Sequence, residues 1–333
     1  MKIFVTGHRG YIGVHLVDIL KKKGHSIVGC DIGLFDGCAL EPFTLPDLEI
    51  TKDIRGLTVD ELRGCDCVAH LAAISNDPMG ELDPDVTRSV NRDGSIHVAK
   101  VAKEAGVKRF LFSGSCSVYG KGQQSDLDET APLRPLSTYA ISKVEAESEI
   151  SKMADADFSP TFLRNATAYG YSPMLRLDLV ANNLLACAFT RGDIRIKSDG
   201  KPWRPLIHCR DIARAFLHFM EAPVNKIHNN RVNVGGNAEN YQVRQVGDIV
   251  KNLVPNSKIV YTGEIGVDPR DYRVRFDLLN RLFPDFRLQY NLLEGMVELQ
   301  QKFTTYGLSL ADFEGDRFVR LRTLRKRINL LTV

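Results

Sequence analysis

The sequence has no apolar run approaching the ~20 residues that a membrane-spanning helix requires. It also lacks internal repeats, low-complexity tracts and Pro/Gly/Ser linkers. There is no C-x-x-C pair and no Cys/His cluster at zinc spacing, so no metal site is expected. Seven cysteines, an odd number, predict free thiols in a reducing compartment rather than a disulfide framework. Charge of one sign is missing too: 44 Lys and Arg against 41 Asp and Glu leave a net charge of +3, which argues against a nucleic-acid partner. At 44% hydrophobic and 26% charged, the 333 residues have ordinary globular composition and are not a disordered chain. Lys2 to Val5 reads directly as a strand with no targeting segment before it, and the expected location is cytoplasmic.

What is present is alternation. Short β-rich runs at Lys2 to Val5, His25 to Cys30, Asp66 to His70, Arg109 to Ser113 and Thr161 to Arg164 are separated by amphipathic stretches at Tyr11 to Lys23, Asp85 to Ala105 and Thr138 to Met153. This pattern predicts an α/β fold, a doubly wound parallel Rossmann sheet with right-handed crossovers. After about Pro173 the regularity loosens, with helices expected at Leu177 to Arg191, Arg210 to Glu221 and Val243 to Leu253 and a turn at Ser198 to Lys201. The expected division is a dinucleotide-binding domain over 1–172 and a smaller substrate-binding lobe over 173–333, with some of 203–235 returning to the first domain.

Two motifs carry chemistry. Thr6 to Gly13 reads T-G-H-R-G-Y-I-G, placing Gly7, Gly10 and Gly13 between a strand and a helix. Glycines there permit the tight turn and let backbone N–H groups and the helix N-terminus approach a pyrophosphate. Asp31 stands 18 residues after Gly13, where a carboxylate accepts the adenosine ribose hydroxyls and repels a 2′-phosphate. That predicts NAD over NADP, with Arg9 as the one cation in the loop able to reverse the preference. The second constellation is Ser115 at a strand end with Tyr139 and Lys143, one turn apart on a helix that Ser137 caps. A phenol beside an ammonium is a workable base for a hydroxyl proton, and Ser115 is placed to hold the same oxygen.

These residues resemble the extended short-chain dehydrogenase/reductase family, in the nucleotide-sugar epimerase/dehydratase branch typified by UDP-galactose 4-epimerase. The resemblance implies NAD contacts from Gly7, Gly10, Tyr11, Ile12, Gly13, Asp31, Asp53, Ile54, Leu71, Ala72, Ala73, Asn91, Ser113, Tyr139 and Lys143. It implies a nucleoside-diphosphate sugar as substrate, catalysis by Ser115, Tyr139 and Lys143, and sugar or diphosphate contacts from Ser75, Ser115, Cys116, Ser117, Thr167, Asn182 and Arg204. Asp77 is a further sugar candidate, and Arg270, Arg273 and Arg275 are diphosphate candidates by charge. Where the family's 4,6-dehydratases carry an Asp-Glu pair, this chain has Cys116 and Ser117, which disfavours dehydration. The expected reaction is therefore C4 epimerisation through a transient 4-ketose. The alternative is NAD(P)H-dependent reduction of an NDP-4-keto-deoxysugar, and a non-catalytic dinucleotide sensor is least favoured. A homodimer is expected, paired through the stretches Asp85 to Ala105 and Thr138 to Met153. The basic run Arg317, Arg320, Arg322, Arg325, Lys326 and Arg327 alternates with Phe318, Leu321, Leu324 and Ile328. It is expected to be a docked amphipathic helix with a solvated basic side.

Overall fold

The alternation of buried strands and covering helices builds a seven-stranded, all-parallel sheet. A computed structural model describes residues 1–121, 126–263 and 270–332. Six of the strands are β1 (Lys2–Thr6), β2 (Ser26–Asp31), β3 (Leu48–Thr51), β4 (Cys67–His70), β5 (Arg109–Ser115) and β6 (Ser159–Asn165). After β7 (Thr167–Tyr169), β8 (Asp193–Ile196) and β9 (Trp203–His208), the seventh, β10 (Arg231–Val234), returns beside β6. The spatial order is β10-β6-β5-β4-β1-β2-β3. Chain direction of travel across the sheet reverses between β1 and β4, and doubly wound sheets bind ligands beyond the carboxyl ends of strands at that point.

The central strands are buried along their length, which is why they read as near-continuous apolar runs. One face is covered by the helices Gly13–Lys22 and Cys209–Glu221, whose Leu16, Val17, Leu20, Ile212 and Phe216 share a core with Ile3 and Val5. The other face is covered by helices Ser95–Glu104 and Thr138–Ser151. A second lobe carries the small sheets β11 (Asn240–Gln242)-β9-β7 and β12 (Lys258–Tyr261)-β8, packed with helices Val180–Arg191, Val243–Leu253 and Leu292–Tyr306.

Two departures from the sequence reading matter for the site. The helix expected over Asp85 to Ala105 is present but not regular: Pro84–Arg88 runs through a π-helical turn, Ser89–Gly94, into Ser95–Glu104. Ser95 Oγ donates to the Asn91 carbonyl at 2.5 Å, and a Cβ on Gly94 would meet Ile54 Cδ1 at 3.0 Å, so the widened turn lets the backbone nestle against the residues after β3. Second, β3 escaped the sequence pattern because Leu-Glu-Ile-Thr is an edge strand with Leu48 exposed, not an apolar run. All seven cysteines are free and buried; among the described residues no His/Cys/Asp/Glu cluster suits a metal, and no helix is long and apolar enough to cross a membrane.

Candidate active site

At the switch point the chain leaves β1 into the glycine loop. Gly7 has φ +71°, and a Cβ there would lie 2.8 Å from the Ala72 nitrogen; a Cβ on Gly13 would lie 2.2 Å from the Gly7 carbonyl oxygen. Only glycine at both positions lets the loop fold tightly enough to open the helix Gly13–Lys22 onto the cleft. Thr6 locks the neighbouring loop. Its Oγ1 accepts from the Leu71 and Ala72 N–H groups at 3.2 Å each and meets His70 Nδ1 at 2.8 Å, while His70 Nε2 meets Ser95 Oγ. Burial pushes His70 down to about 3, so it is a neutral bridge and not a base.

One continuous cleft is lined by Gly7, Gly10, Tyr11, Ile12, Gly13, Asp31, Asp53, Ile54, Leu71, Ala72, Ala73, Ser113, Ser115, Tyr139 and Lys143, with Ser75, Asp77 and Thr167 beyond them. Asp31 receives the Gly33 N–H at 2.9 Å and the Arg9 N–H at 3.3 Å, so its carboxylate is held at the mouth of the loop. A glycine cradle, a helix N-terminus and a carboxylate at the end of β2 fit a dinucleotide.

Tyr139 and Lys143 stand one turn apart on the helix Thr138–Ser151, which Ser137 caps by accepting from the Ala140 N–H at 3.1 Å. The Lys143 Nζ lies 4.6 Å from the centre of the Phe112 ring and 6.0 Å from that of Tyr139. Burial pushes the Tyr139 phenol up to about 12, an effect opposed by the hydroxyl of Ser115 and by Arg176. Burial pushes Lys143 down to about 7 from its ordinary 10.5. The Lys143 ammonium therefore costs the ligand-free protein stability at and below pH 7, where both folded and unfolded forms carry the proton. The cost shrinks as the pH rises from 7 toward 10.5, because there the folded form is already neutral. Lys143→Met is expected to abolish turnover yet stabilise the ligand-free protein by several kcal/mol at pH 6 and by clearly less at pH 9. Urea midpoints at the two pH values check it; an equal gain at both would contradict this account.

Five of the residues expected to touch ligand do not line this cleft. Asn91 is fully buried, donating its amide to the Ile74 carbonyl and accepting the Ile74 N–H; it shapes the loop after β4 from beneath. Cys116 and Ser117 are carried away from the cleft by the 3-10 turn Cys116–Tyr119. The Cys116 thiol donates to the Arg164 carbonyl and burial pushes it well up, which leaves it an inert filler. Asn182 sits beneath the cleft floor, bonding the Tyr11 hydroxyl, Gly170 and the Arg176 carbonyl. Arg204 is buried against Tyr272 and donates to the Trp203 and Arg270 carbonyls, so it braces the Arg270 segment.

Of the three other arginine candidates, only Arg270 lines the cleft, paired with Asp77. Asp77 also receives the Ser137 hydroxyl, so one carboxylate ties the cap of the helix bearing Tyr139 to the Arg270 segment. Arg273 pairs with Asp126 and stacks on Trp203, and Arg275 pairs with Asp277. Two cleft arginines were missed. Arg176 is buried, pairs with Asp178 at 2.9 Å and donates to Ser75 Oγ at 2.8 Å; its signal was an Arg-x-Asp inside the apolar run Pro173 to Val180. Arg320, expected on a solvated face, is 2% exposed and lines the cleft, its signal masked by the surrounding basic residues.

A family model described as NAD dependent epimerase/dehydratase family matches residues 3–235. Among curated proteins, the chain is 27% identical over 271 residues to an uncharacterized UDP-glucose epimerase, YtcB, of Bacillus subtilis strain 168, covering 76% of this chain and 82% of that one. It is 31% identical over 238 residues to the UDP-glucose 4-epimerase of Streptococcus mutans, covering 65% of this chain and 71% of that one. Among solved structures, MoeE5 in complex with UDP-glucuronic acid and NAD is 27% identical, with a TM-score of 0.78 over 92% of this chain and 99% of that one.

Proposed function

This chain belongs to the NAD dependent epimerase/dehydratase family, and from that premise we propose that it is an NAD-dependent nucleotide-sugar epimerase acting at C4 through a transient 4-ketose. The observation that carries the reading is the convergence of Tyr139, Lys143 and Ser115 on the same cleft as the glycine loop and Asp31. When bound, the nicotinamide supplies a reversible hydride acceptor. Tyr139 Oη takes the proton of the C4 hydroxyl and returns it to the same oxygen after the ketose has turned over. Ser115 holds that oxygen, and the Lys143 ammonium draws the phenol toward phenolate. Its neutral alternative is within reach near pH 7, so the base works best where Lys143 keeps its proton in the loaded site.

NAD is favoured over NADP because the one cation in the glycine loop is engaged: Arg9 pairs with Asp36 and Glu49, leaving Asp31 to meet the ribose. Dehydration is disfavoured because Cys116 and Ser117 stand where the family's 4,6-dehydratases carry an Asp-Glu pair, and neither lines the cleft. A UDP-sugar is the proposed substrate class, following the names of the relatives. We place the protein in the cytoplasm as a homodimer whose partners meet through helix Thr138–Ser151 and the segment Pro84–Glu104.

The test is the dinucleotide released on denaturing the purified protein, together with conversion of UDP-glucose and UDP-galactose without added cofactor. Near one NAD per chain and interconversion are expected. An empty protein that acts only with added NADPH, on a 4-keto sugar, overturns the proposal in favour of the reductase.

A further inference from the structure

The cleft that would hold the dinucleotide is not left open on the side of β2. The helix Arg320–Arg327 and the turn after it, Ile328–Leu331, lie along it, and Leu331 and Arg320 both line the cleft. This segment is pinned to the adenosine side at several points. Arg327 donates to the Leu34 and Asp36 carbonyls at 2.9 and 3.0 Å, the Arg55 guanidinium donates to the Leu331 carbonyl at 2.8 Å, and Leu324 and Leu331 join the apolar cluster of Ile54, Val90 and Leu34.

Within it, Arg320 has a placement that packing alone does not explain. The guanidinium lies 4.6 Å above the centre of the Phe35 ring and donates one bond, from Nη2 to the Met174 carbonyl at 3.2 Å. Met174 packs with Cys38 on Val14, the second residue of helix Gly13–Lys22, so Arg320 is held beside the first turn of the helix that receives a pyrophosphate. Its Nη1 is buried and has no hydrogen-bond partner; the nearest acidic groups that act on it are the Cys38 thiol and the Asp178 carboxylate, and Asp178 is already paired with Arg176 at 2.9 Å. A buried cation in this state is costly unless an anion completes it. Burial pushes it down to about 10, with the neighbouring Arg176 guanidinium adding to the effect and the Cys38 thiol and Asp178 carboxylate opposing it.

We propose that Arg320 is a phosphate ligand of the bound dinucleotide, carried over the cleft by the segment Arg320–Leu331, which closes the adenosine end and retains the cofactor between turnovers. The proposal rests on the reading of the cleft as a dinucleotide site. It gives that reading a physical basis for retention: an epimerase recovers its hydride only while its cofactor stays bound.

The test compares wild type, Arg320→Met and Arg320→Lys for NAD content after purification, for the rate at which NAD is lost on dilution, and for affinity toward ADP-ribose, adenosine and UDP. Losing one charged hydrogen bond predicts about ten- to a hundred-fold weaker binding of NAD and ADP-ribose to Arg320→Met, with adenosine unchanged and Arg320→Lys within a few-fold of wild type. If Arg320→Met and wild type hold NAD equally well, the proposal is wrong while the dinucleotide reading stands; if wild type binds no dinucleotide, that reading itself has failed. Weakening confined to UDP overturns the assignment in favour of the substrate's diphosphate. Should Arg320→Met not fold, hydrogen exchange of wild type decides: amides of 320–331 are expected to slow on adding NAD, and unchanged exchange overturns the proposal.

Discussion

Tyr139→Phe is expected to lower turnover of a UDP-sugar about 10²- to 10⁴-fold while the protein keeps its fold and its dinucleotide. The start of the helix bearing Tyr139 packs closely on the helix Asp77–Gly80, where a Cβ on Gly80 would lie 2.9 Å from the Tyr139 Cβ. Phenylalanine keeps that contact and the neighbourhood of Lys143, and removes only the oxygen that exchanges the proton. The glycine loop and Asp31, the proposed cofactor contacts, are untouched. The pH profile gives a second reading. In wild type the phenol must lose its proton, which burial opposes and Ser115 assists, so the rate should respond to pH; the residual rate of the variant should lose that response. Measuring kcat and bound NAD on one preparation separates the outcomes. A variant that retains most of its turnover would remove Tyr139 from the chemistry, and one that loses NAD in proportion to turnover would reassign it to binding.

How legible this was in the sequence depends on what each residue does. Residues whose role is fixed by local spacing were visible: Gly7 and Gly13 flank a strand-to-helix turn, and Tyr139 and Lys143 need only helical periodicity to share a face. The parallel sheet was legible for the same reason, because strands buried on both faces have an apolar signature that the edge strand β3 lacks. Residues whose role depends on which way a loop turns were not. Cys116 and Ser117 directly follow Ser115, but in the 3-10 turn both are buried and neither lines the cleft. Asn91 and Asn182 have the polarity of ligand contacts and instead satisfy buried backbone groups, a need no sequence pattern displays. Arg320 is the inverse case: a charge read as solvated because its neighbours are, and placed in the cleft by tertiary contacts with segments almost three hundred residues away in sequence.

On the helix that bears Tyr139, the loss of one further residue should be felt most in stability. Glu147 lies one turn beyond Lys143 on the face that carries Tyr139, and it is buried. Its carboxylate accepts from Arg164 Nε at 3.1 Å and Arg164 Nη2 at 2.6 Å, a two-pronged pair with side chains only 4% and 7% exposed. Arg164, near the end of β6, also donates to the Tyr119 hydroxyl at 3.1 Å, and that hydroxyl donates to Asn233 on β10. The network thus fastens the helix of the base to two strands of the sheet that holds Ser115. Glu147→Ala strands the Arg164 cation in the interior with only a phenol to meet it, and a cost of about 3–5 kcal/mol is expected. Replacing both partners, Glu147→Leu with Arg164→Leu, removes the buried charge along with the pair and leaves only the half-buried Arg231, which reaches Glu147 at 3.4 Å and retains the Ser151 hydroxyl and the Asn229 carbonyl as acceptors. The double variant should therefore be more stable than Glu147→Ala, though its helix loses the angular restraint that two parallel hydrogen bonds impose. Urea unfolding of the three proteins measures the stability order, and kcat on the folded double variant measures whether the restraint matters to Tyr139. A Glu147→Ala cost below about 1 kcal/mol, the range of an exposed pair, would mean that water reaches Arg164 and that the helix is held by apolar packing alone.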